Sequence, residues 1–482
     1  MPLSLFVKEQ KKYSFNALCS MFKSTAGDLI PIIRKLKEFG LLKIENKSVS
    51  PQNLSELADA EVVATNDNTN DYNYLFNFVG VVVVAGKTLK CYPKYLPDHC
   101  SPVAELKQIL KVLEKASSKD QSIRMFSENN ADASLNLLAV MLFLIHDYYE
   151  NGIYANTEEI IEINGDGEIN WNKTINETFT LISHNKPYYP YLLTRKRITD
   201  DCDFFKRLHE YVLTEVSKEL QNADLLDLFE LTEIELTDEK LDELGDKEYI
   251  LYKIEKELNC QFNTRKQLVL KTIYAYIDRR GNLNDVNCIS LFGTSSFNTV
   301  WERVCSDILD NQLQKPLSDL NLPVPVQKNS TEAKKTLKEI IEKPKWSATG
   351  LEANDTLIPD LVTITEDKFI IFDAKYYTPV LELGRPPEHQ PGIESVTKQY
   401  LYQLAFQDFI SKHGFAEVKN CFLMPTDQTN VQNMGTVTMK MFADLNQNLQ
   451  VIEVRYIPAS MAYEHYLSDK KIELSLLDLW KY

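Results

Sequence analysis

Residues 357–377 constrain this chain more than any other stretch: Leu-Ile-Pro-Asp-Leu-Val-Thr-Ile-Thr-Glu-Asp-Lys-Phe-Ile-Ile-Phe-Asp-Ala-Lys-Tyr-Tyr. Leu361, Val362 and Ile364 form one apolar run and Phe369 to Phe372 a second, with polar Thr365-Glu366-Asp367-Lys368 between them. That is the pattern of a β-hairpin. Asp360, behind Pro359, opens the first strand, and Asp373 and Lys375 close the second. Side chains alternate along a strand, so Asp373 and Lys375 share a face while Ala374 points away. If the strands pair, Asp360 and Asp373 lie at the same end. Two carboxylates that close repel unless a cation sits between them. Oxygen donors of this kind suit Mg²⁺ or Mn²⁺ together with a phosphate, and a lysine one pleat away can position a water. Asp-x-Lys alone is an ordinary solvated pair and Pro-Asp alone an ordinary turn. The combination, joined by a hairpin, is the informative feature.

At 482 residues the chain is long enough for two to four domains, and its 44% hydrophobic and 25% charged content is that of a globular protein. The N-terminus shows no apolar core with a small-residue cleavage site. The longest apolar run, Leu137 to Ile145, ends in His146-Asp147 and is too short to span a bilayer, so a buried helix and no membrane association are expected. The eight cysteines are scattered with no Cys-x-x-Cys pair, which fits a reducing, cytoplasmic setting. The net charge of −16 opposes strong phosphate binding by the chain itself. Residues 222–258, with thirteen acidic residues and four lysines, carry more than half of that imbalance. Contact with DNA then needs a local basic groove or delivery by a partner; a partner is the expectation.

Along the chain, residues 13–44 read as a small helical unit. Asp28 is the expected cap of a helix with Ile32, Ile33, Leu36 and Phe39 on its apolar stripe, and Gly40 ends it. Helix, helix, then Leu41 to Ile44 as a strand resembles half of a winged helix, or an ordinary amphipathic pair of helices. Residues 48–72 read as a polar linker, and residues 73–96 as strands. The acidic stretch 222–258 is either a protruding helical arm or a solvated face on packed helices. Phe297, Val300, Trp301, Val304 and Ile308 have helical spacing, with Glu302 among them. Trp346 to Gly350 reads as a strand ahead of the hairpin. Gln399 and Gln403, four apart, share one face of a later helix, and Val418 to Pro425 reads as a buried strand.

Pro-Asp, twelve residues, then Asp-Ala-Lys resembles the PD-(D/E)xK nuclease signature. The order helix, three strands, helix, strand resembles that core. The Phe-Val-Gly strand at 78–80, Gly86-Lys87-Thr88-Leu89, Tyr92-Pro93-Lys94 and the run Gly167 to Ile175 resemble McrC-type subunits. McrC is the nuclease partner of the GTP-driven AAA+ protein McrB. Over most of residues 73–425 the chain resembles the LlaJI family of restriction endonucleases more closely than McrC itself. Gln403 stands where many relatives carry a tyrosine. The N-terminal winged-helix-like piece and the stretch 222–258 are departures from the McrC pattern.

The resemblance implies an α/β protein, with an α+β N-terminal module ahead of a PD-(D/E)xK restriction-endonuclease-like core. The expected segments are 1–50 (helical, winged-helix-like), 73–221 (partner-binding module), 222–284 (acidic arm or linker) and 285–482 (nuclease domain). The implied activity is Mg²⁺-dependent cleavage of double-stranded DNA in a phage-defence restriction system. Asp360, Asp373 and Lys375 would be catalytic. Asp360, Asp373 and the Ala374 carbonyl would hold the metal, with Glu302 as a further ligand and Gln399 or Gln403 orienting the site. Mn²⁺ would substitute for Mg²⁺. No Gly-x-x-x-x-Gly-Lys-Ser/Thr motif is present, so GTP would be hydrolysed by an AAA+ McrB-like partner. A dimer of nuclease domains would cut both strands. The rival reading is a non-catalytic assembly protein that stimulates a partner NTPase, its nuclease fold a relic.

Overall fold

A computed structural model describes residues 3–46, 72–98, 102–116, 136–155, 157–199, 203–279, 289–327, 329–381, 384–445 and 449–480. The linker read at 48–72 falls almost wholly outside them. Helices and strands are mixed throughout, so the fold is α/β. The chain divides into two compact units that do not follow chain order. One comprises Met1–Ser4, Val83–Thr88 and Met125–Leu291; the other comprises Leu5–Val82, Leu89–Arg124 and Phe292–Tyr482.

The second unit carries the hairpin. Its five-stranded sheet has the order Leu361–Thr365, Lys368–Ala374, Glu417–Thr426, Ile452–Pro458, Gln432–Val437. The hairpin is antiparallel, the next two pairings are parallel, and Gln432–Val437 returns antiparallel at the far edge. Lys368–Ala374 is buried over nearly its whole length, as the unbroken run Phe369 to Phe372 requires of a strand covered on both faces. On one face Val362, Ile364, Phe369 and Ile371 pack with Leu337, Phe406 and Phe409. The outer edge of the hairpin is covered: Gln312 donates from its backbone to the Val362 carbonyl (2.8 Å) and from its side chain to that of Ile364 (3.2 Å). An uncovered edge would invite strand addition.

Trp346 is not in this sheet. Lys345–Trp346 pairs only with Leu351–Glu352, and Trp346 is 65% exposed. The strand expected ahead of the hairpin is therefore a two-residue ribbon on the surface. Its apolar residues are too few and too interrupted to claim a place beside the buried run.

The same unit holds the N-terminal helices Phe15–Phe22 and Ala26–Glu38. They pack with a three-stranded antiparallel sheet in the order Lys12–Tyr13, Tyr72–Phe76, Leu42–Asn46. Two helices and three short strands make up this part, its sheet closed by residues 72–76. Asp28 is not the cap of the second helix. Thr25 is, and Asp28 sits three positions on, bonded to the Thr25 hydroxyl at 2.6 Å, a reciprocal arrangement close to a capping box. Gly80 and Gly293, both in the left-handed half of backbone space, meet main chain to main chain. A Cβ on either would lie 2.2 Å from a backbone oxygen of the other segment. Only glycine allows that approach, which leads into the Phe297–Ile308 helix.

In the first unit the apolar run forms the buried Leu137–Asn151 helix. Among the described residues no helix is long and apolar enough to cross a membrane. The acidic stretch does not protrude as an arm. Leu225, Leu228, Ile234, Ile250 and Ile254 are buried, and the Ser217 and Thr214 hydroxyls accept from the backbone of Ile234 and Leu236. Its leucines anchor it while its carboxylates face solvent. Residues 157–199 form strands and a short helix, Trp171–Glu177, whose apolar residues stand out: Phe179 is 67% exposed and Ile182 77%.

Candidate active site

The hairpin register pairs Leu361 with Phe372. One step further toward its open end, Asp360 falls opposite Asp373. The Asp360 Oδ2 accepts from the Ala374 N–H at 2.8 Å, and the Lys375 ammonium lies 3.0 Å from Asp373 Oδ2. Asp360, Asp373 and Lys375 are thus gathered at one strand end. The Asp373 side chain is 2% exposed and that of Lys375 22%.

Electrostatics follow from this crowding. Burial, and then the hydrogen bond and charge of Asp373 beside it, push the Asp360 carboxyl up to about 9. Burial also works against the charge on Lys375, but the Asp373 carboxylate outweighs it and the ammonium titrates above its ordinary range. Lys375 is therefore a cation at neutral pH. It can orient a water or steady an anion; it has no free lone pair with which to take a proton.

Neighbouring elements fix these groups. The Leu423 carbonyl on the parallel strand accepts from the Lys375 N–H (2.8 Å) and from the Trp301 indole (3.2 Å). Trp301 is fully buried on the Phe297–Ile308 helix, and Glu302 follows it. Glu302 is within electrostatic reach of Lys375 and Asp373. Burial raises its pKa, against the Lys375 charge and an Asn298 hydrogen bond that lower it. Among the described residues no group of three or more His, Cys, Asp or Glu side chains is assembled to hold a metal ion. Glu302 thus borders the pair formed by Asp373 and Lys375.

Asn311 carries no signal in the sequence, where nothing marks it in Asp-Asn-Gln. Its side chain donates to the Asp360 carbonyl (3.1 Å) and accepts from the Val362 N–H (3.2 Å), holding both ends of the step that aims Asp360. Asn311→Ala strands both backbone groups. Its expected cost is about 1–3 kcal/mol of stability. Urea denaturation checks this; an unchanged midpoint would remove Asn311 from the site's support.

The two glutamines bind helix to sheet. Gln399, fully buried, donates to the Ile371 carbonyl at 3.0 Å. The Gln403 carbonyl oxygen accepts from the Asn420 side chain (2.7 Å) and the Gln450 N–H (3.0 Å). These bonds run to the sheet and a following loop.

The family model described as LlaJI restriction endonuclease matches residues 78–457. The chain belongs to the LlaJI restriction endonuclease family. A curated relative of this LlaJI family member, the type II restriction enzyme BsuMI component YdjA of Bacillus subtilis (strain 168), is 26% identical over 431 residues, covering 85% of this chain and 83% of that protein. Two solved structures from Thermococcus gammatolerans are similar at low identity. One is the refined half-complex from a tetradecameric assembly of McrB AAA+ hexamers with bound McrC. It is 13% identical with a TM-score of 0.37, covering 97% of this chain and 99% of that one. The other, a cryo-EM structure of the McrBC complex, is 14% identical with a TM-score of 0.26, covering 65% and 88%.

Proposed function

We propose that this LlaJI family member is the nuclease subunit of a multi-part restriction enzyme, hydrolysing DNA phosphodiesters at Asp360, Asp373 and Lys375 with Mg²⁺. The observation that carries this reading is the gathering of two carboxylates and one ammonium at the hairpin's end. The donor set suits a divalent cation. Two nearly buried carboxylates side by side need a proton or a positive charge between them, and a cation supplies it without protonating either. Asp360, Asp373 and the Ala374 carbonyl would hold it. Once bound, it supplies the positive charge that polarises the phosphoryl group. Lys375, fixed by Asp373 and by the Leu423 carbonyl, orients the water that forms the new P–O bond as a bridging P–O bond breaks. Asp360 is itself oriented by the Ala374 N–H, so the two carboxylates are set before substrate arrives. The test is plasmid cleavage by the full chain with its co-encoded subunits, with and without Mg²⁺. Cleavage persisting undiminished in excess chelator would sink the metal-dependent reading.

The B. subtilis relative is named as a component of its enzyme, which supports a partner for this chain too. The motifs at 78–94 and 167–175 that resemble McrC suggest a GTP-hydrolysing AAA+ subunit. Trp171, Ile175, Phe179, Ile182 and Tyr188 are each at least half exposed on one short segment, more apolar surface than a free-standing fold needs. This segment is the proposed docking surface, and it belongs to a different compact unit from the aspartates. Replacing Phe179 and Ile182 together by serine should abolish stimulation of the partner's GTPase while thermal stability holds, since neither side chain packs inside. Unaltered stimulation would place the docking surface elsewhere. A pair of nuclease units acting on opposite strands is part of the proposal, with cut-site mapping as its check.

A further inference from the structure

Four residues remote from the hairpin in sequence close around the residue that follows Lys375. The sheet ladder of the Lys368–Ala374 strand stops at Ala374, and beyond it the Lys375 N–H makes one more bond, to Leu423. Tyr376 follows beyond the strand end. Its hydroxyl donates to Glu9 Oε2, the same oxygen that accepts from the Lys94 N–H at 3.2 Å. The Lys94 ammonium lies 4.5 Å from the centre of the Tyr376 ring. Phe297, at the start of the helix that carries Glu302, packs on that ring at 5.2 Å, and Tyr95 meets it edge-on at 6.3 Å. Glu9 is itself held by main chain, its N–H donating to the Tyr92 carbonyl at 2.9 Å. Glu9 is 4% exposed and Tyr376 6%.

A carboxylate this buried is costly, and apolar residues of the same volume would pack the space at least as well. What a hydrogen-bonded Glu–Tyr pair adds is direction: it fixes where the Tyr376 hydroxyl sits, and with it the backbone of the adjacent residue. We propose that Glu9 and Lys94 are positioning residues for Lys375, acting through Tyr376. The proposal rests on the nuclease reading above. It makes the segments around residues 9 and 93–95 part of the nuclease centre. They are not merely attachments ahead of it.

The test uses the full chain with its co-encoded subunits and four variants: Tyr376→Phe, Glu9→Ala, Glu9→Gln and the double Glu9→Ala/Tyr376→Phe, with Asp373→Asn as reference. Tyr376→Phe keeps the ring and loses only the hydroxyl, so it folds with the least disturbance. Single-turnover cleavage should fall about tenfold to a hundredfold in Tyr376→Phe and in Glu9→Ala, the scale on which a misplaced catalytic group loses rate. KM for DNA and Mn²⁺ affinity by calorimetry should stay unchanged, because Asp360 and Asp373 are untouched. The double variant should be no slower than either single one, since both break the same bond. Glu9→Gln, whose amide oxygen still accepts, should recover most of the rate lost in Glu9→Ala. Tyr376→Phe cleaving at the parental rate, or losses that multiply in the double variant, would overturn the proposal while Asp373→Asn stays inactive. A rate loss matched by falling melting temperature and weaker Mn²⁺ binding would also overturn it, in favour of a purely structural pair. If Asp373→Asn itself cleaves normally, the nuclease reading fails and this proposal fails with it, for a separately visible reason.

Discussion

Asp373→Asn should lower DNA cleavage by two orders of magnitude or more, roughly what losing a catalytic group costs, and should leave the proposed partner's GTP hydrolysis in place. The substitution keeps the side chain's shape in a position that is 2% exposed, so the sheet has no reason to rearrange. It removes the charge that holds Lys375 and that would meet the cation, and a neutral amide is a poorer ligand than a carboxylate. Lys375→Ala should give a similar loss by another route: Mn²⁺ should still bind, while the group proposed to orient water is gone. The surface proposed for the partner is formed by residues 171–188, none of which takes part in the hairpin. The paired measurement is plasmid cleavage and GTPase rate on one preparation. Unchanged cleavage in Asp373→Asn would place the active centre elsewhere. Loss of both activities together would mean that the two functions share a site.

Asp360→Asn alters the pH dependence of stability and the response to metal together. In the metal-free protein the Asp360 carboxyl keeps its proton up to about pH 9, whereas in an unfolded chain it releases it near its ordinary value of 3.8. Between those values the folded state binds the extra proton. The stability it contributes is whole below about pH 4 and is lost as the pH rises through about 9. The parent in chelator should therefore melt progressively lower on going from pH 5 to pH 9. The asparagine variant, with nothing to titrate there, should melt over a narrower range and outlast the parent at the alkaline end. For folding units of this size each kcal/mol appears as about 2–4 °C. Adding Mn²⁺ at pH 8 should raise the parent's melting temperature, because the cation takes the place of the Asp360 proton between the two carboxylates, and should barely move the variant's. Parallel melting curves across pH, or an equal Mn²⁺ shift in both proteins, would remove Asp360 from the site.

The sequence by itself determined the hairpin, the buried strand after it and the helix of Phe297, Trp301 and Ile308. In each the deciding interactions are local: alternation every second residue, a polar turn, apolar spacing of three and four. Because alternation is strict, the shared face of Asp373 and Lys375 is legible from their spacing alone, and so is Asp360 at the same end. The family resemblance is legible from the same residues. The second N-terminal helix is legible in its apolar spacing, but its cap is not: Thr25 and Asp28, three residues apart, are both good caps, and only backbone geometry chooses Thr25. Tertiary structure alone decided the rest. Trp346 reads like a core strand because short apolar runs do not say whether a sheet has room for them. The acidic stretch reads as either an arm or a solvated face on packed helices; buried surface, which charge counts do not measure, decides for the packed face. Gln399 and Gln403 share a helix face as expected; that this face meets the Ile371 carbonyl and Asn420 is decided only by the tertiary structure. Glu9 and Tyr376 are 367 residues apart. No local pattern links positions so distant, because the bond between them exists only after two separate stretches of chain have folded onto one unit.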